Sequence, residues 1–271
     1  MNALTIQQSL LQSGINRLDA EVLLAHALNV DRSYLYSHPE KTMDTDTFFA
    51  LCQRRLQGEP IAYLIGKKEF WESSFLVNKN VLIPRPETEL LVEEILSRYP
   101  VGEPLSVAEL GTGSGAIALS LAKARANWKI VATDSQPEAL KVAEQNQKNL
   151  NLSNVRFVQG DWCLPLSDET FDVIVSNPPY IAESDPNLQQ GDLRFEPMTA
   201  LVADDEGLAD IQKIAEQART YLKSSGILLF EHGCSQADAV KQCLCSLDYR
   251  NILCLKDLAG LSRVTIASSP K

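Results

Sequence analysis

The chain has 271 residues, of which 45% are hydrophobic, so it can bury a substantial core in one large domain or two smaller ones. Its 35 acidic and 25 basic residues give a formal net charge of -10 at pH 7. This charge argues against broad binding to a nucleic-acid backbone, which needs a basic surface. No apolar run approaches the roughly 20 residues that a membrane span requires. The composition therefore predicts a cytoplasmic protein without membrane or direct nucleic-acid contacts.

The first part of the chain has apolar residues at helical spacing. The clearest examples are residues 20–28 and 48–56. Helices of this kind bury their apolar faces against one another, so the pattern predicts a small helical bundle over residues 1–72. Periodicity alone does not distinguish a stabilising cap from a domain that recruits a substrate.

Short extended patterns then predict a hairpin linker over residues 73–88. Two of them, residues 74–77 and 81–83, are separated by Asn78-Lys79-Asn80, which is typical of a turn. The linker ends before a predicted helix at residues 89–96.

Two prolines at the end of this linker restrict the backbone on both sides of an arginine. Pro84 and Pro86 fix their own φ angles, so Arg85 is held rigidly beside the next helix. An ordinary surface ion pair would explain the same arginine.

A strand pattern at residues 106–110 leads into Gly111-Thr112-Gly113-Ser114-Gly115 and then a predicted helix at residues 116–122. Glycines let the backbone approach a ligand closely, and a helix N-terminus offers N–H groups. The next strand pattern, residues 129–133, delivers Asp134, whose carboxylate can bind both hydroxyls of a ribose. The sequence therefore predicts a nucleotide-type cofactor. The glycine spacing also satisfies the dinucleotide pattern, so an NAD-dependent oxidoreductase stays open.

A third strand pattern, residues 155–159, ends at Gly160-Asp161-Trp162. This places an acid and an aromatic ring near the expected position of an adenine, although Trp162 could equally be part of the core.

The strand pattern at residues 171–176 stops at Asn177-Pro178-Pro179-Tyr180. Ligands of open α/β sheets lie outside the carboxyl ends of the strands, so this tetrapeptide is expected at the active site. Asn177 Oδ1 and the Pro178 carbonyl can each accept one N–H, and Tyr180 can cover a flat group. This set suits a carboxamide or an exocyclic amine. The competing interpretation is a simple turn that ends a strand.

A long segment with little periodicity follows at residues 181–208, and such loops are often functional lids. Further strand patterns lie at residues 226–231, 250–255 and 263–267. With helices between the strands, the fold class is an α/β doubly wound sheet of seven strands.

Together these motifs resemble class I methyltransferases that use S-adenosylmethionine (SAM) and modify nitrogen. The resemblance is carried by Glu109 to Gly115, Asp134, Gly160-Asp161-Trp162 and Asn177 to Tyr180. Three further stretches are similar to the glutamine N5-methyltransferases of peptide chain release factors. They are Gly66 to Trp71, Val81 to Glu89 with its Pro-Arg-Pro-Glu-Thr-Glu run, and Arg194 to Leu201.

The resemblance implies a Rossmann-like methyltransferase domain over residues 89–271 with an antiparallel last strand, and a substrate-recruiting N-terminal domain. It implies methyl transfer from SAM, which leaves S-adenosylhomocysteine, to the glutamine of the Gly-Gly-Gln loop of class I release factors. The implied catalytic residues are Asn177, Pro178 and Tyr180. The implied cofactor-binding residues are Gly111, Thr112, Gly113, Ser114, Gly115, Asp134, Asp161, Trp162 and Asn177. The implied substrate-binding residues are Asn177, Pro178, Pro179, Tyr180 and Arg85.

Three alternatives remain beside the oxidoreductase. They are a methyltransferase for a ribosomal-protein glutamine, one for exocyclic amines of adenine or guanine in nucleic acid, and a non-catalytic module that keeps SAM as a structural ligand. No metal site is predicted, because the six cysteines include no Cys-x-x-Cys pair and the three histidines are scattered.

Overall fold

A computed structural model describes residues 3–271 of the chain. The chain divides into two compact units. One contains the described residues up to Lys67 together with Gln189–Phe195, and the other contains Lys68–Leu188 and Glu196–Lys271.

The first unit is a small helical bundle, as predicted. Its first helix begins with a capping box, in which the Thr5 and Gln8 side chains each accept the backbone N–H of the other residue. The helices pack around a core that includes Leu23, Leu24 and Phe48. The elements are β1 (Leu4–Thr5), α1 (Ile6–Gln12), α2 (Arg17–Leu28), α3 (Arg32–Ser37), β2 (Thr42–Met43), α4 (Asp46–Leu56) and α5 (Ile61–Ile65).

The predicted hairpin between residues 74–77 and 81–83 is wrong. The hairpin lies one step earlier, between β3 (Lys67–Phe70) and β4 (Ser73–Leu76). The sequence pattern of residues 81–83 is typical of a strand, but these residues pair with no strand within the described part of the chain. The backbone N–H of Ile83 donates instead to Oε2 of Glu196, at 3.0 Å. A side chain 113 residues away thus takes the place of a strand partner.

The second unit is built on a seven-stranded sheet, which confirms the predicted fold class. The strand order is β10-β11-β9-β8-β5-β6-β7. The last strand is antiparallel to both of its neighbours, as the family resemblance implied. The strands are β5 (Ser106–Leu110), β6 (Lys129–Asp134), β7 (Val155–Gln159), β8 (Phe171–Ser176), β9 (Leu222–Glu231), β10 (Arg250–Lys256) and β11 (Ser262–Ser268).

Helices cover both faces of this sheet. Because successive strand residues point to opposite faces, Val107 packs in one core cluster and Ala108 in another. The helices of this unit are α6 (Glu89–Arg98), α7 (Ala116–Ala124), α8 (Pro137–Asn149), α9 (Asp204–Gly207), α10 (Ala209–Tyr221) and α11 (Ala237–Ser246). The first cluster includes residues of α6 and α7, and the second includes residues of α10 and α11.

The strand order reverses beside β5. The chain runs from β5 outward through β6 and β7, and then returns to place β8 on the other side of β5. Such a switch point opens a crevice at the carboxyl ends of the strands. The glycine-rich turn after β5 and the Asn177 tetrapeptide after β8 both lie at this edge.

Backbone hydrogen bonds join the two ends of the long segment after Tyr180. The N–H of Ile181 donates to the Leu201 carbonyl at 2.9 Å, and the N–H of Ala203 donates to the Ile181 carbonyl at 3.1 Å. Between these points the segment contains only short 3-10 turns. The acidic run that begins at Asp204 forms a single turn, α9, in which Asp205 and Glu206 have φ angles of +53° in the left-handed region.

No helix within residues 3–271 has both the length and the apolar character that a membrane span requires.

Candidate active site

A cavity of about 310 Å³ opens at the carboxyl ends of β5, β6 and β8. It brings together nine of the predicted site residues. These are Gly111, Thr112, Gly113, Ser114, Asp134, Asp161, Trp162, Asn177 and Pro179. The other four predicted residues, Gly115, Pro178, Tyr180 and Arg85, are not part of the described cavity wall.

Two glycines of the turn after β5 require the absence of a side chain. Gly111 has φ +73° and Gly115 has φ +82°, both in the left-handed region. A Cβ at Gly111 would lie 3.0 Å from Cζ3 of Trp162, and one at Gly115 would lie 2.9 Å from Cδ1 of Leu119. Gly111 also lines the cavity, so its bare backbone allows close approach of a ligand, whereas Gly115 lies outside the described cavity wall.

Asp134 ends β6 and faces this turn. Its Oδ2 accepts the N–H of Gly113 and its Oδ1 accepts the N–H of Gln136, both at 2.8 Å. Burial raises the pKa of Asp134, while these two hydrogen bonds act in the opposite direction. The carboxylate thus joins the turn to the strand end and also lines the cavity.

Glu109 is a cavity residue to which sequence reasoning gave no role of its own. It is 1% exposed, and its Oε2 accepts the Thr112 hydroxyl at 2.5 Å and the Ala118 N–H at 3.0 Å. Burial raises the pKa of Glu109 to about 8, and the nearby charge of Asp134 adds to this effect. The sequence feature that could have identified Glu109 is a single carboxylate within the otherwise apolar strand pattern of residues 106–110.

Replacing Glu109 with glutamine should remove a pH-dependent loss of stability. The pKa of Glu109 is raised from 4.5 to about 8, so its contribution is fully present below pH 4.5 and is lost as the pH rises toward 8. Glutamine keeps an acceptor oxygen and cannot ionise. Chemical unfolding measures the free energy of unfolding of both proteins. In this window the difference between them should change in favour of E109Q by on the order of 1 kcal/mol for each pH unit.

An exposed carboxylate on α8 provides the control for that experiment. Glu138 pairs with Lys141 at the surface, and E138Q should change the free energy of unfolding by about 1 kcal/mol or less. A difference between E109Q and the parent protein that does not grow with pH would contradict the raised pKa of Glu109.

Trp162 belongs to both the core and the cavity wall. Its ring packs against the core cluster beneath α10, and its backbone carbonyl accepts the Thr133 hydroxyl at 2.9 Å. The adjacent Asp161 is about half exposed and pairs with Lys213 at 2.6 Å. The two interpretations of Trp162 from sequence are therefore compatible.

Asn177 lies at the end of a buried chain of hydrogen bonds. Its Nδ2 donates to Thr88 Oγ1 at 3.1 Å, and the Thr88 hydroxyl donates to Glu231 Oε2 at 2.6 Å. The Tyr180 hydroxyl donates to Glu231 Oε1 at 3.1 Å. Sequence reasoning assigned no role to Thr88 or Glu231, although Thr88 lies in the Pro-Arg-Pro-Glu-Thr-Glu run and Glu231 ends β9.

Arg85 forms an ion pair with a buried carboxylate. Its Nη2 donates to Oε1 of Glu196, while Oε2 of Glu196 accepts the Ile83 N–H. Glu196 is 4% exposed. This pair ties the segment before α6 to the end of the long loop, and the predicted contact of Arg85 with a substrate stays a prediction.

Comparison with known proteins gives two family models. One described as a methyltransferase domain matches residues 103–257, and one described as a PrmC N-terminal domain matches residues 4–66. Among solved structures, a methyltransferase from Pyrococcus furiosus has the same fold, with a TM-score of 0.55 and 22% identity over 80% of this chain and 96% of that one.

Curated relatives match nearly the whole chain. The release factor glutamine methyltransferase of Shewanella oneidensis is 48% identical over 252 residues, which cover 92% of this chain and 88% of the relative. The protein of the same name from Escherichia coli is 46% identical over 253 residues, which cover 92% and 91%. With this identity over almost the full length, the chain belongs to the release factor glutamine methyltransferase family.

Proposed function

We propose that this protein transfers a methyl group from SAM to the side-chain amide nitrogen of the glutamine in the Gly-Gly-Gln loop of class I peptide chain release factors. The observation that carries the proposal is the position of Asn177. Its side-chain amide stands on the wall of a cavity that also contains the glycine-rich turn and Asp134. The names of the relatives supply the substrate class.

The cavity wall fits a nucleoside-type cofactor. Bare backbone at Gly111 and Gly113, a carboxylate at the end of β6 and an aromatic ring at Trp162 meet in one cavity. We assign the ribose hydroxyls to Asp134 and the adenine to Asp161 and Trp162. The rest of the turn, Thr112 to Gly115, would complete the cofactor site.

When bound, SAM supplies a methyl group on a sulfonium, which is a good leaving group. The difficulty lies in the nucleophile, since the lone pair of an amide nitrogen is delocalised into its carbonyl. Asn177 Oδ1 and the Pro178 carbonyl would accept the two N–H groups of the substrate amide and hold its nitrogen in place. These acceptors also favour the positive charge that develops on that nitrogen.

The remaining substrate contacts are assigned around this pair. Tyr180 and Pro179 would pack against the substrate amide, and Arg85 would contact the substrate beside them. The proton released by the substrate nitrogen can pass to water, so the mechanism requires no histidine or lysine base. We assign recruitment of the release factor to the N-terminal helical domain.

The test is to incubate the purified protein with methyl-labelled SAM and an unmodified class I release factor, and to map the label by peptide mass spectrometry. A single methyl group on the loop glutamine is expected. A release factor with alanine in place of that glutamine is the control and should remain unlabelled. Label found instead in a ribosomal protein or in nucleic acid would refute the proposed substrate.

A further inference from the structure

Two buried residues behind Asn177 have no role in the function proposed above. Thr88 is 4% exposed and Glu231 is 1% exposed, and they are 143 residues apart in the chain. Thr88 ends the short 3-10 helix Pro86–Thr88, and Glu231 is the last residue of β9. Thr88 contacts Asn177 and lines the same cavity, and Glu231 contacts Thr88 from outside the described cavity wall.

Burial raises the pKa of Glu231, and the hydrogen bonds from Thr88 and Tyr180 act in the opposite direction. With Glu231 ionised, the hydrogen bonds among these residues run in one direction, because the carboxylate is only an acceptor and Thr88 gives its single hydroxyl hydrogen to Glu231 Oε2 at 2.6 Å. The Thr88 oxygen then has only lone pairs left for Asn177. The Asn177 atom that faces it at 3.1 Å must consequently be Nδ2, the donor.

We infer that Glu231 and Thr88 are positioning residues that fix the orientation of the Asn177 amide, so that its oxygen is the atom presented to the substrate. This inference rests on the proposed function. A flipped Asn177 would offer an N–H group to the N–H groups of the substrate amide, and two donors cannot bond to each other.

The same carboxylate also holds the other end of the tetrapeptide. Glu231 Oε1 accepts the Tyr180 hydroxyl at 3.1 Å while Oε2 accepts from Thr88. The Glu231 carboxylate therefore fixes Tyr180 directly and fixes Asn177 through Thr88. Fixed hydrogen-bonding groups of this kind contribute to catalysis because they do not have to reorganise during the reaction.

The test is a double-mutant cycle between Thr88 and Asn177, measured as kcat for methyl transfer at saturating SAM and release factor. T88V keeps the shape of the side chain and removes its acceptor oxygen. It should lower kcat by about tenfold or more in the parent protein, but by less than about twofold in an N177A background. T88S retains the hydroxyl and should recover kcat to within about threefold of the parent.

Two further measurements separate positioning from a general structural role. The Kd for SAM by calorimetry should stay within about threefold of the parent value in T88V. A Tm of T88V above the assay temperature shows that the variant is folded under the conditions of the assay. Loss of kcat by the same factor in both backgrounds, or no loss in the parent background, would overturn the inference. Unchanged kcat in N177A would remove Asn177 from the mechanism and overturn this inference, whereas absence of methyl transfer by the parent protein would overturn the proposed function.

Variants of Glu231 test the inference should T88V fail to fold. Leucine removes both acceptor oxygens, which frees the Thr88 hydroxyl to donate to Asn177 and so to reverse its amide. Glutamine retains one acceptor oxygen for Thr88 and can donate to the Tyr180 oxygen. We expect E231L to lose kcat by about tenfold or more and E231Q to recover most of it. Equal kcat in the two variants would overturn the inference.

Discussion

Replacement of Asn177 by alanine is expected to lower kcat for methyl transfer by about a hundredfold or more, which is roughly 3 kcal/mol of transition-state stabilisation. The reason is that Asn177 Oδ1 would accept an N–H whose polarity increases as positive charge develops on the nitrogen. That interaction is stronger in the transition state than in the ground state, so its loss should appear in kcat. The Kd for SAM should change far less.

A second asparagine provides a matched control. Asn127 precedes β6 at the opposite edge of the sheet, where its Nδ2 donates to the Gly102 carbonyl at 2.8 Å. N127A removes a side chain of the same size without touching the cavity, and its kcat should stay close to that of the parent protein. Near-normal turnover in N177A would remove Asn177 from the mechanism.

The central sheet was predictable because its strands carry their own signals. β5, β6 and β8 are apolar on both faces, and each ends at a residue that changes the chain direction or supplies a polar group. Strands buried between two layers of helices carry mostly apolar residues on both faces. The glycine turn, Asp134 and Asn177 were located for the same reason, since each follows directly from a strand end.

The extended stretch at residues 81–83 was wrongly assigned to a hairpin because the partner of its backbone is distant in the chain. Val81 and Ile83 are 1% and 4% exposed, so the apolar pattern at residues 81–83 reports burial correctly. Burial does not specify which group receives the backbone N–H. In the folded chain the Ile83 N–H is taken by Glu196, which also pairs with Arg85, and no local pattern encodes that contact.

The chain of hydrogen bonds behind Asn177 was unpredictable for a related reason. Pairing of β8 with β9 extends to Ser176 and Phe230, and Thr88 reaches the residues that follow them, Asn177 and Glu231, only when the segment before α6 packs against these strand ends. Each residue has a simple local explanation, as the residue before α6 or as a strand end. Their effect on Asn177 depends on the hydrogen bond between them, and their positions in the sequence do not reveal that contact.

Replacement of Asp134 by alanine should have the opposite kinetic signature from N177A. If its carboxylate binds two ribose hydroxyls, its removal should raise the Kd for SAM by about a hundredfold, because two charge-assisted hydrogen bonds are lost. Once SAM is saturating, kcat should lie within about threefold of the parent value, since Asp134 makes no contact with the reacting nitrogen. Calorimetric titration with SAM measures the first effect and labelled methyl transfer the second.

Asp134 also supports the glycine turn, and the control must reproduce that structural role. Asp172, at the start of β8, likewise accepts a backbone N–H, from Ser106 at 2.8 Å, and it pairs with Lys223. D172A should therefore cost stability much as D134A does, while the Kd for SAM stays unchanged because Asp172 is outside the described cavity wall. A Kd that is also unchanged in D134A would show that the ribose assignment is wrong. A raised Kd in D134A alone, beside a lowered kcat in N177A alone, would assign cofactor binding to the end of β6 and amide activation to the end of β8.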